Sequence, residues 1–350
     1  MREKQGSGNL NILPKKGRSP LISIIIPTWN SWHTLKHCLN AIQNQDSINF
    51  LYEVIIVDDG SCDGTGEKIK AASYPFPLFY FFQKNQGPAA ARNLGILRAK
   101  GEIVLFLDAD IIPAAGLIKE HLLLHLENRK VFVTGRVIPH SKASFYGRLL
   151  TNWLISPISR QKIRKNFSFP ACNFSVKKKH LESVSGFNEL FSPYGFEDTE
   201  LGFRLCEKEK LRLIFSEKAA VYHLNKDNFQ TCIQKGWHLG KNLIRFIRLH
   251  PEIFYEQKWS GYKKIYERNL LDILHFSPLS DQEKRLFLEK IKSLEEKIKT
   301  SDINASKKLK HLFHQGLGYS VFEGGHTELF RLKNRTPHLL TAKSIPKNSF

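Results

Sequence analysis

Glu102-Ile103-Val104-Leu105-Phe106-Leu107-Asp108-Ala109-Asp110 is an uninterrupted apolar run that ends in two carboxylates separated by one small residue. A run of this length with β-branched members reads as a central strand buried on both faces. In open α/β sheets ligands collect outside the carboxyl ends of the strands, which is where Asp108 and Asp110 would stand. Two carboxylates that close repel unless a positive charge lies between them, and a hard divalent cation held partly by ligand phosphates meets that need. The structural alternative is a strand followed by an acidic turn, since acids favour turns.

Three strand–turn–helix units precede this run. Leu21 to Ile26 reads as a strand, Pro27-Thr28-Trp29-Asn30 as the turn that breaks it, and Ser31 as the N-cap of a helix through Leu35, Leu39 and Ile42. Tyr52 to Val57 is a second strand, ending in Asp58-Asp59-Gly60-Ser61, with a helix from Thr65. Leu78 to Phe82 is a third, leading through Asn85-Gln86-Gly87-Pro88 to the helix-forming stretch Ala89 to Lys100. The repetition predicts an α/β fold with a mostly parallel central sheet and crossover helices. Trp29 suits stacking on a base, and Asp59 suits accepting from a base N–H. Arg92 suits either a phosphate or the positioning of the first acid of the Asp-x-Asp pair. Core packing for Trp29 and a turn or cap role for Asp59 are the alternatives, but three strand ends converging on one ligand favour a nucleotide.

The segments Ser23-Ile24-Ile25-Ile26-Pro27-Thr28-Trp29-Asn30, Val57-Asp58-Asp59-Gly60-Ser61, Gly87-Pro88-Ala89-Ala90-Ala91-Arg92-Asn93-Leu94-Gly95 and Asp108-Ala109-Asp110 resemble, in order and spacing, the successive motifs of family 2 glycosyltransferases. The resemblance spans residues 21–225. It implies a GT-A fold, a nucleotide-binding α/β half joined to an acceptor-binding half, with Mn²⁺ or Mg²⁺ as cofactor. It also implies that Pro27, Trp29, Asn30, Asp59, Arg92 and Asp108 contact a nucleotide-sugar donor, UDP-linked by family analogy.

Beyond the Asp pair, Val131 to Gly135 reads as a strand and Ser144 to Ile155 as a helix with Phe145, Leu149 and Trp153 on one face. The basic run Arg160 to Lys165 is a solvated loop or a lid over the phosphates. Phe169 to Lys177 reads as a strand; by the resemblance Asn173 lines the floor near the donor sugar, the alternative being a polar strand residue satisfied by backbone. Glu197-Asp198-Thr199-Glu200-Leu201-Gly202-Phe203-Arg204 opens a helix, where acids are favoured by the macrodipole and can serve as caps. Forming a glycosidic bond also requires a carboxylate that removes the acceptor proton. The family's Glu-Asp motif gives that role to Asp198, with Glu197 orienting it or binding acceptor hydroxyls. A histidine at a strand end, like His223, is commonly structural. By the resemblance it joins Asp110 on the metal, with Asp108 facing the ribose or the metal's water shell.

With 350 residues and a formal net charge of +20, the chain has room for such a domain plus an extension, and its charge calls for an anionic partner. Its five cysteines, with no Cys-x-x-Cys pair, read as reduced thiols of a cytoplasmic protein. No apolar stretch approaches the roughly 18–20 residues that span a bilayer. Residues 1–20 read as a flexible lead-in and 226–350 as an α-helical extension. Two amphipathic helices are expected there: one through Trp237, Leu239, Leu243, Ile244, Phe246, Ile247 and Leu249, and one over Gln282–Lys299 with the stripe Leu286, Ile291, Leu294 and Ile298. This extension carries 23 basic and 13 acidic residues, so it is either a packed cap or a peripheral contact with anionic lipid on the cytoplasmic face. The last few tens of residues, with Gly316, Gly318, Gly324 and Gly325, read as irregular and partly disordered.

Together these features predict a metal-dependent, inverting glycosyltransferase acting on a glycan or lipid-linked acceptor in cell-surface glycan or polysaccharide assembly. The family's processive members carry a Gln-x-x-Arg-Trp motif and flanking transmembrane helices; neither is read in this sequence, so by the resemblance the expected transfer is non-processive. A sugar-1-phosphate nucleotidyltransferase would need a Gly-rich basic loop after the first strand, where Pro27-Thr28-Trp29-Asn30 stands. A nucleic-acid-binding protein is suggested by charge alone, without a recognisable binding motif, so no specific nucleic acid is expected.

Overall fold

The computed structural model describes residues 20–45, 52–160, 169–254, 277–299 and 303–335. Residues 1–19 of the expected flexible lead-in, the basic run after Arg160, and residues 336–350 lie outside these.

Strands β1 (Ile22–Thr28), β2 (Tyr52–Asp58), β3 (Leu78–Phe82) and β4 (Ile103–Leu107) pair in parallel in the order β3-β2-β1-β4. The crossovers are α1 (Trp32–Gln43), α2 (Thr65–Ala71) and α3 (Pro88–Arg98). The side-chain period of two explains the layers. Ile24, Ile26, Leu105 and Leu107 face one core with Leu35 and Leu39 of α1, while Ile25, Val104 and Phe106 face the other with Ala91 and Ile96 of α3. All of β4 is buried, as its unbroken apolar run requires. Gly95 lets α3 approach this sheet, since a β-carbon there would lie 2.4 Å from Ile25 Cγ2.

β1 does not stop at Ile26; it continues through Pro27 and Thr28, paired with Val57 and Asp58. The carbonyl of Thr28 accepts from the Asp59 N–H on the β2 side. Main-chain groups alternate along a strand, so Pro27 faces the other side, beyond the last rung with β4 at Ile25 and Phe106. Its missing N–H therefore costs the ladder nothing.

The sheet then changes character. The short β5 (Ile111–Pro113) is followed by α4 (Leu117–Glu127), β6 (Val131–Pro139), α5 (Phe145–Arg160), β7 (Asn173–Lys177), α6 (Lys178–Ser183), α7 (Glu197–Glu207) and β8 (Arg212–His223). These strands extend the sheet as β4-β7-β6-β8-β5, with β7 antiparallel to both β4 and β6, and β5 antiparallel to β8. The expected parallel sheet thus holds for the first half and gives way to a mixed one in the second.

The C-terminal region is helical: α8 (Phe229–Leu249), α9 (Asp281–Lys299) and α10 (Ile303–Arg335). In α8, Leu239, Leu243, Ile244 and Phe246 are buried while Leu249 is exposed. In α9, Ile291 and Leu294 are buried but Leu286 is 58% exposed, so the core-facing stripe runs through the neighbouring Phe287 instead. The side chain of Ile298 lies outside the described residues.

The expectation of an irregular glycine-rich end is corrected, since residues 303–335 form one helix. The glycines there are contact residues. A β-carbon at Gly240 would lie 1.7 Å from Val321 O, and one at Gly324 would lie 1.9 Å from Trp237 O. Close helix packing outweighs the low helix propensity of glycine at these points. Among the described residues, no helix is long and apolar enough to cross a membrane.

Candidate active site

A cleft of about 1470 Å³ opens at the carboxyl ends of β1, β2 and β4. Pro27, Trp29, Asp59, Arg92, Asp108, Asp110, Glu197, Asp198 and His223 all border it. Trp29 leaves β1 with 57% of its surface exposed, which rules out the core-packing alternative.

Asp59 follows β2 and is 4% exposed. Its Oδ1 accepts from Gln83 Nε2 and the Gln86 N–H, and its Oδ2 from the Gly87 N–H, each at 2.8 Å. The turn role and the cleft position are therefore both real: the carboxylate fixes the loop that launches α3. Asn30 is not among the residues that border the cleft, and its hydrogen bonds hold the turn. Its Oδ1 accepts from the Cys62 N–H and its own N–H donates to Ser61 Oγ, tying the turn after β1 to the turn after β2.

Arg92 lies one turn into α3, 4% exposed. Its Nη2 donates to Asp108 Oδ1 at 2.9 Å and its Nη1 to Glu197 Oε1 at 3.1 Å. Of the two roles open to Arg92, positioning the first acid is the one observed, and it reaches equally to the acid beside Asp198. Burial opposes the charge on Arg92, but Asp108 and Glu197 outweigh it and hold its pKa above the ordinary value.

Asp110 and His223 meet because β5 pairs Ile111 with His223, and the Leu224 N–H donates to Asp110 O at 2.8 Å. His223 Nε2 stands 3.0 Å from Asp110 Oδ2, and Thr151 Oγ1 lies 3.2 Å from its Nδ1. Burial opposes ionisation of both groups, yet their mutual attraction prevails: Asp110 is held below the usual carboxylate range and His223 above the usual imidazole value. Among the described residues no group of three or more His, Cys, Asp and Glu side chains forms a complete metal cage. A carboxylate oxygen beside an imidazole nitrogen, open to the cleft, fits a Mn²⁺ or Mg²⁺ ion whose other ligands are phosphate oxygens and water.

Asp198 sits in the first turn of α7, after Phe196 in the left-handed region at φ 71°. Its Oδ1 accepts from the Thr199 N–H at 2.7 Å and its Oδ2 from the Ala171 N–H at 3.4 Å. Burial first, and then repulsion by Glu197, push its carboxyl up to about 7. A general base works best when its pKa lies near the working pH. Glu197 spends Oε1 on Arg92, while its buried Oε2 has no hydrogen-bond partner among the described residues.

Asn173 is a correction. It is fully buried and does not border the cleft. Its Nδ2 donates to Ala219 O at 2.8 Å and its Oδ1 lies 3.0 Å from His121 Nε2. The polar-strand alternative describes it. It belongs to a buried network in which Ser175 Oγ joins His121 and His125, both driven below the ordinary histidine value by burial. The i, i+4 spacing of the two histidines on α4 was visible in the sequence; the burial that makes them structural was not.

Sequence reasoning missed Lys235. It borders the cleft from α8, donates to Asp227 Oδ2 at 2.6 Å and lies 5.1 Å from the Tyr194 ring centroid. It is near enough to Asp110 to help lower its pKa. No local pattern links it to Asp110, because only the packing of helix α8 onto the fold brings the two near each other.

Residues 23–191 match the family described as glycosyl transferase family 2, and residues 159–227 match an N-terminal domain of galactosyltransferase. The chain is 27% identical over 261 residues to an uncharacterised glycosyltransferase of Bacillus subtilis, covering 60% of this chain and 66% of that one. It is 28% identical over 273 residues to the chondroitin synthase of Escherichia coli, covering 68% of this chain and 39% of that protein. The chain therefore spans less than two thirds of the length of either relative. A mannosyltransferase from Pyrobaculum calidifontis, solved with GDP-Man and Mn²⁺, superposes with a TM-score of 0.55 at 18% identity, covering 92% of this chain and 90% of that one. Residues 1–349 of TarS from S. aureus superpose with a TM-score of 0.50 at 16% identity, covering 89% of this chain and 91% of that one. These likenesses show the fold, which is GT-A.

Proposed function

We propose that this chain, whose residues 23–191 match the family described as glycosyl transferase family 2, is a metal-dependent, inverting glycosyltransferase that moves one sugar from a nucleoside diphosphate to an acceptor hydroxyl. The observation that carries the reading is one cleft holding Asp198, with its carboxyl raised to about 7, and the Asp110–His223 pair. Trp29 stacks on the base, and the loop held by Asp59 closes around its edge. Asp110 and His223 would hold the cation, which would supply positive charge to the departing diphosphate. Lys235 adds a positive charge on the same side.

Asp198 takes the proton from the acceptor hydroxyl as that oxygen forms a bond to the anomeric carbon. The bond from that carbon to the phosphate oxygen breaks, and its electron pair departs with the diphosphate. Direct attack from the face opposite the leaving group inverts the anomeric centre. Arg92 keeps Asp108 and Glu197 from repelling the reacting groups, so it is a positioning residue. A uridine donor follows from family analogy, and the mannosyltransferase neighbour with GDP-Man and Mn²⁺ supports metal use and makes guanosine donors the first alternative to assay. Contact of the C-terminal helices with anionic lipid is a further part of the proposal, supported by Leu286 and Leu288 exposed on α9 and by the excess of basic over acidic residues in 226–350.

The test is a screen of UDP- and GDP-sugars for Mn²⁺-dependent thermal stabilisation and donor hydrolysis. Stabilisation that EDTA abolishes is expected, and no response to any nucleotide would overturn the reading. Co-sedimentation with phosphatidylserine vesicles that is lost without residues 226–350 tests the lipid contact.

A further inference from the structure

The turn that delivers Asp198 to the cleft has two consecutive residues in the left-handed region, Gly195 at φ 86° and Phe196 at φ 71°. Glycine adopts that conformation freely, but a bulky side chain does so only where its surroundings over-determine it. Phe196 cannot drift without moving the catalytic helix, because its carbonyl accepts from the Glu200 N–H at 2.9 Å, within the first turn of α7. Whatever holds this turn therefore fixes where Asp198 stands.

The holding groups come from the C-terminal extension. Asn242 of α8 is 1% exposed. Its Nδ2 donates to Phe191 O at 3.2 Å, Tyr194 O at 2.9 Å and Gly195 O at 2.9 Å, so its N–H groups are shared among three carbonyls of the turn. Its Oδ1 accepts from Arg245 Nη1 at 3.0 Å, which orients the amide with its N–H groups toward the turn. The same Arg245 nitrogen donates to Leu190 O at 2.8 Å, and Arg245 Nε stands 3.6 Å from the buried carboxylate of Glu328 on α10. Two apolar contacts join from the same face of α8. A β-carbon at Gly195 would lie 2.4 Å from Leu239 Cδ2, and the Phe246 ring lies 5.7 Å from that of Phe196. All of these α8 residues lie beyond the segments that match family models, which end at residue 227.

We infer that Asn242, locked in place by Arg245, is a positioning residue for the base: it holds the turn over residues 191–196 so that the Asp198 carboxylate meets the attacking oxygen. This rests on the transferase reading. An amide suits the task because carbonyls are held only by donors; an apolar side chain there would leave all three without this partner, and a carboxylate would repel them. The extension thereby takes part in the reaction, since α10 reaches Asp198 through Glu328, Arg245, Asn242 and the turn.

The experiment compares wild type, Asn242→Ala and Arg245→Gln in Mn²⁺-dependent donor hydrolysis, with water as acceptor and the nucleotide sugar that wild type hydrolyses best. Calorimetric titration with the matching nucleoside diphosphate in Mn²⁺ counts the folded, binding-competent sites, and rates are expressed per such site. In Asn242→Ala the kcat is expected to fall about tenfold or more, while the donor KM and the affinity for the nucleoside diphosphate hold. The acid limb of the kcat profile is expected to move to lower pH. Burial is the first cause of the raised Asp198 pKa, and a loosened turn admits water, so the carboxyl drops toward the usual carboxylate range. Should Asn242→Ala fail to fold, Arg245→Gln decides by the same two readouts, since it unlocks the Asn242 amide while Glu328 keeps its bonds to Arg331. A kcat per site that holds, or an acid limb that stays in place, overturns the positioning role. A wild type that hydrolyses no donor is a separate result, which removes the transferase reading and this role with it.

Discussion

Replacing Arg92 with Gln removes the positive charge that lies between Asp108 and Glu197. Both of its hydrogen bonds are short, at 2.9 and 3.1 Å, and both Arg92 and Glu197 have side chains less than 10% exposed. Removing one partner of a buried ion pair costs about 3–5 kcal/mol, because the other charge stays buried without compensation. Asp108, with 33% of its side chain exposed, is partly relieved by water, so the loss belongs mainly to Glu197. A second effect falls on catalysis. Arg92 is one of the groups that hold the Asp198 carboxyl down, against burial and Glu197, so its removal raises that pKa further above about 7. A rise of about one unit cuts the base form about fivefold at pH 7 and hardly at all at pH 9. Urea unfolding at pH 8 measures the first effect, and the pH profile of sugar transfer measures the second. Adding Glu197→Gln removes the stranded charge, so the double variant should regain most of the stability and return the acid limb toward its original position. An Arg92→Gln variant that loses less than about 1 kcal/mol and keeps its acid limb in place would refute the reasoning.

Asp198→Asn should abolish transfer yet leave Mn²⁺-dependent nucleotide binding intact by calorimetry. Because the folded-state pKa of Asp198 is raised, its protonated form adds stability that is fully present below about 4 and is lost as pH rises through about 7. The Asn variant should therefore melt above wild type at pH 8 and close to it at pH 4. Asp110→Ala and His223→Ala should each weaken nucleotide binding in Mn²⁺ by about 10–100-fold and leave metal-free binding unchanged, and equal binding in both conditions would remove them from the metal site. Gly240→Val drives a side chain toward Val321 O, 1.7 Å from the β-carbon position, and should cost about 1–3 kcal/mol in urea unfolding.

Local sequence determined the first half of the sheet and most of the site. The apolar run before Asp108 had to be buried on both faces, and each turn after a parallel strand had to open on the same edge. Trp29, Asp59, Asp108 and Asp110 were therefore placed by strand register alone. Asp198 and His223 came from motif resemblance, and α7 and β8 bring them to the same cleft. What sequence left open was decided by contacts between distant segments. Arg92 had two possible roles until Asp108 and Glu197 closed on it from β4 and α7. Asn173 is identical in sequence as a donor-site residue or a buried strut, and only the approach of His121 and Ala219 makes it the latter. The glycines of α10 read as disorder because propensity counts a residue by itself. Against α8 they are what permits the two helices to touch. Periodicity and turn chemistry are local energies, legible along the chain; charge pairing, burial and close approach exist only after the chain has folded back on itself.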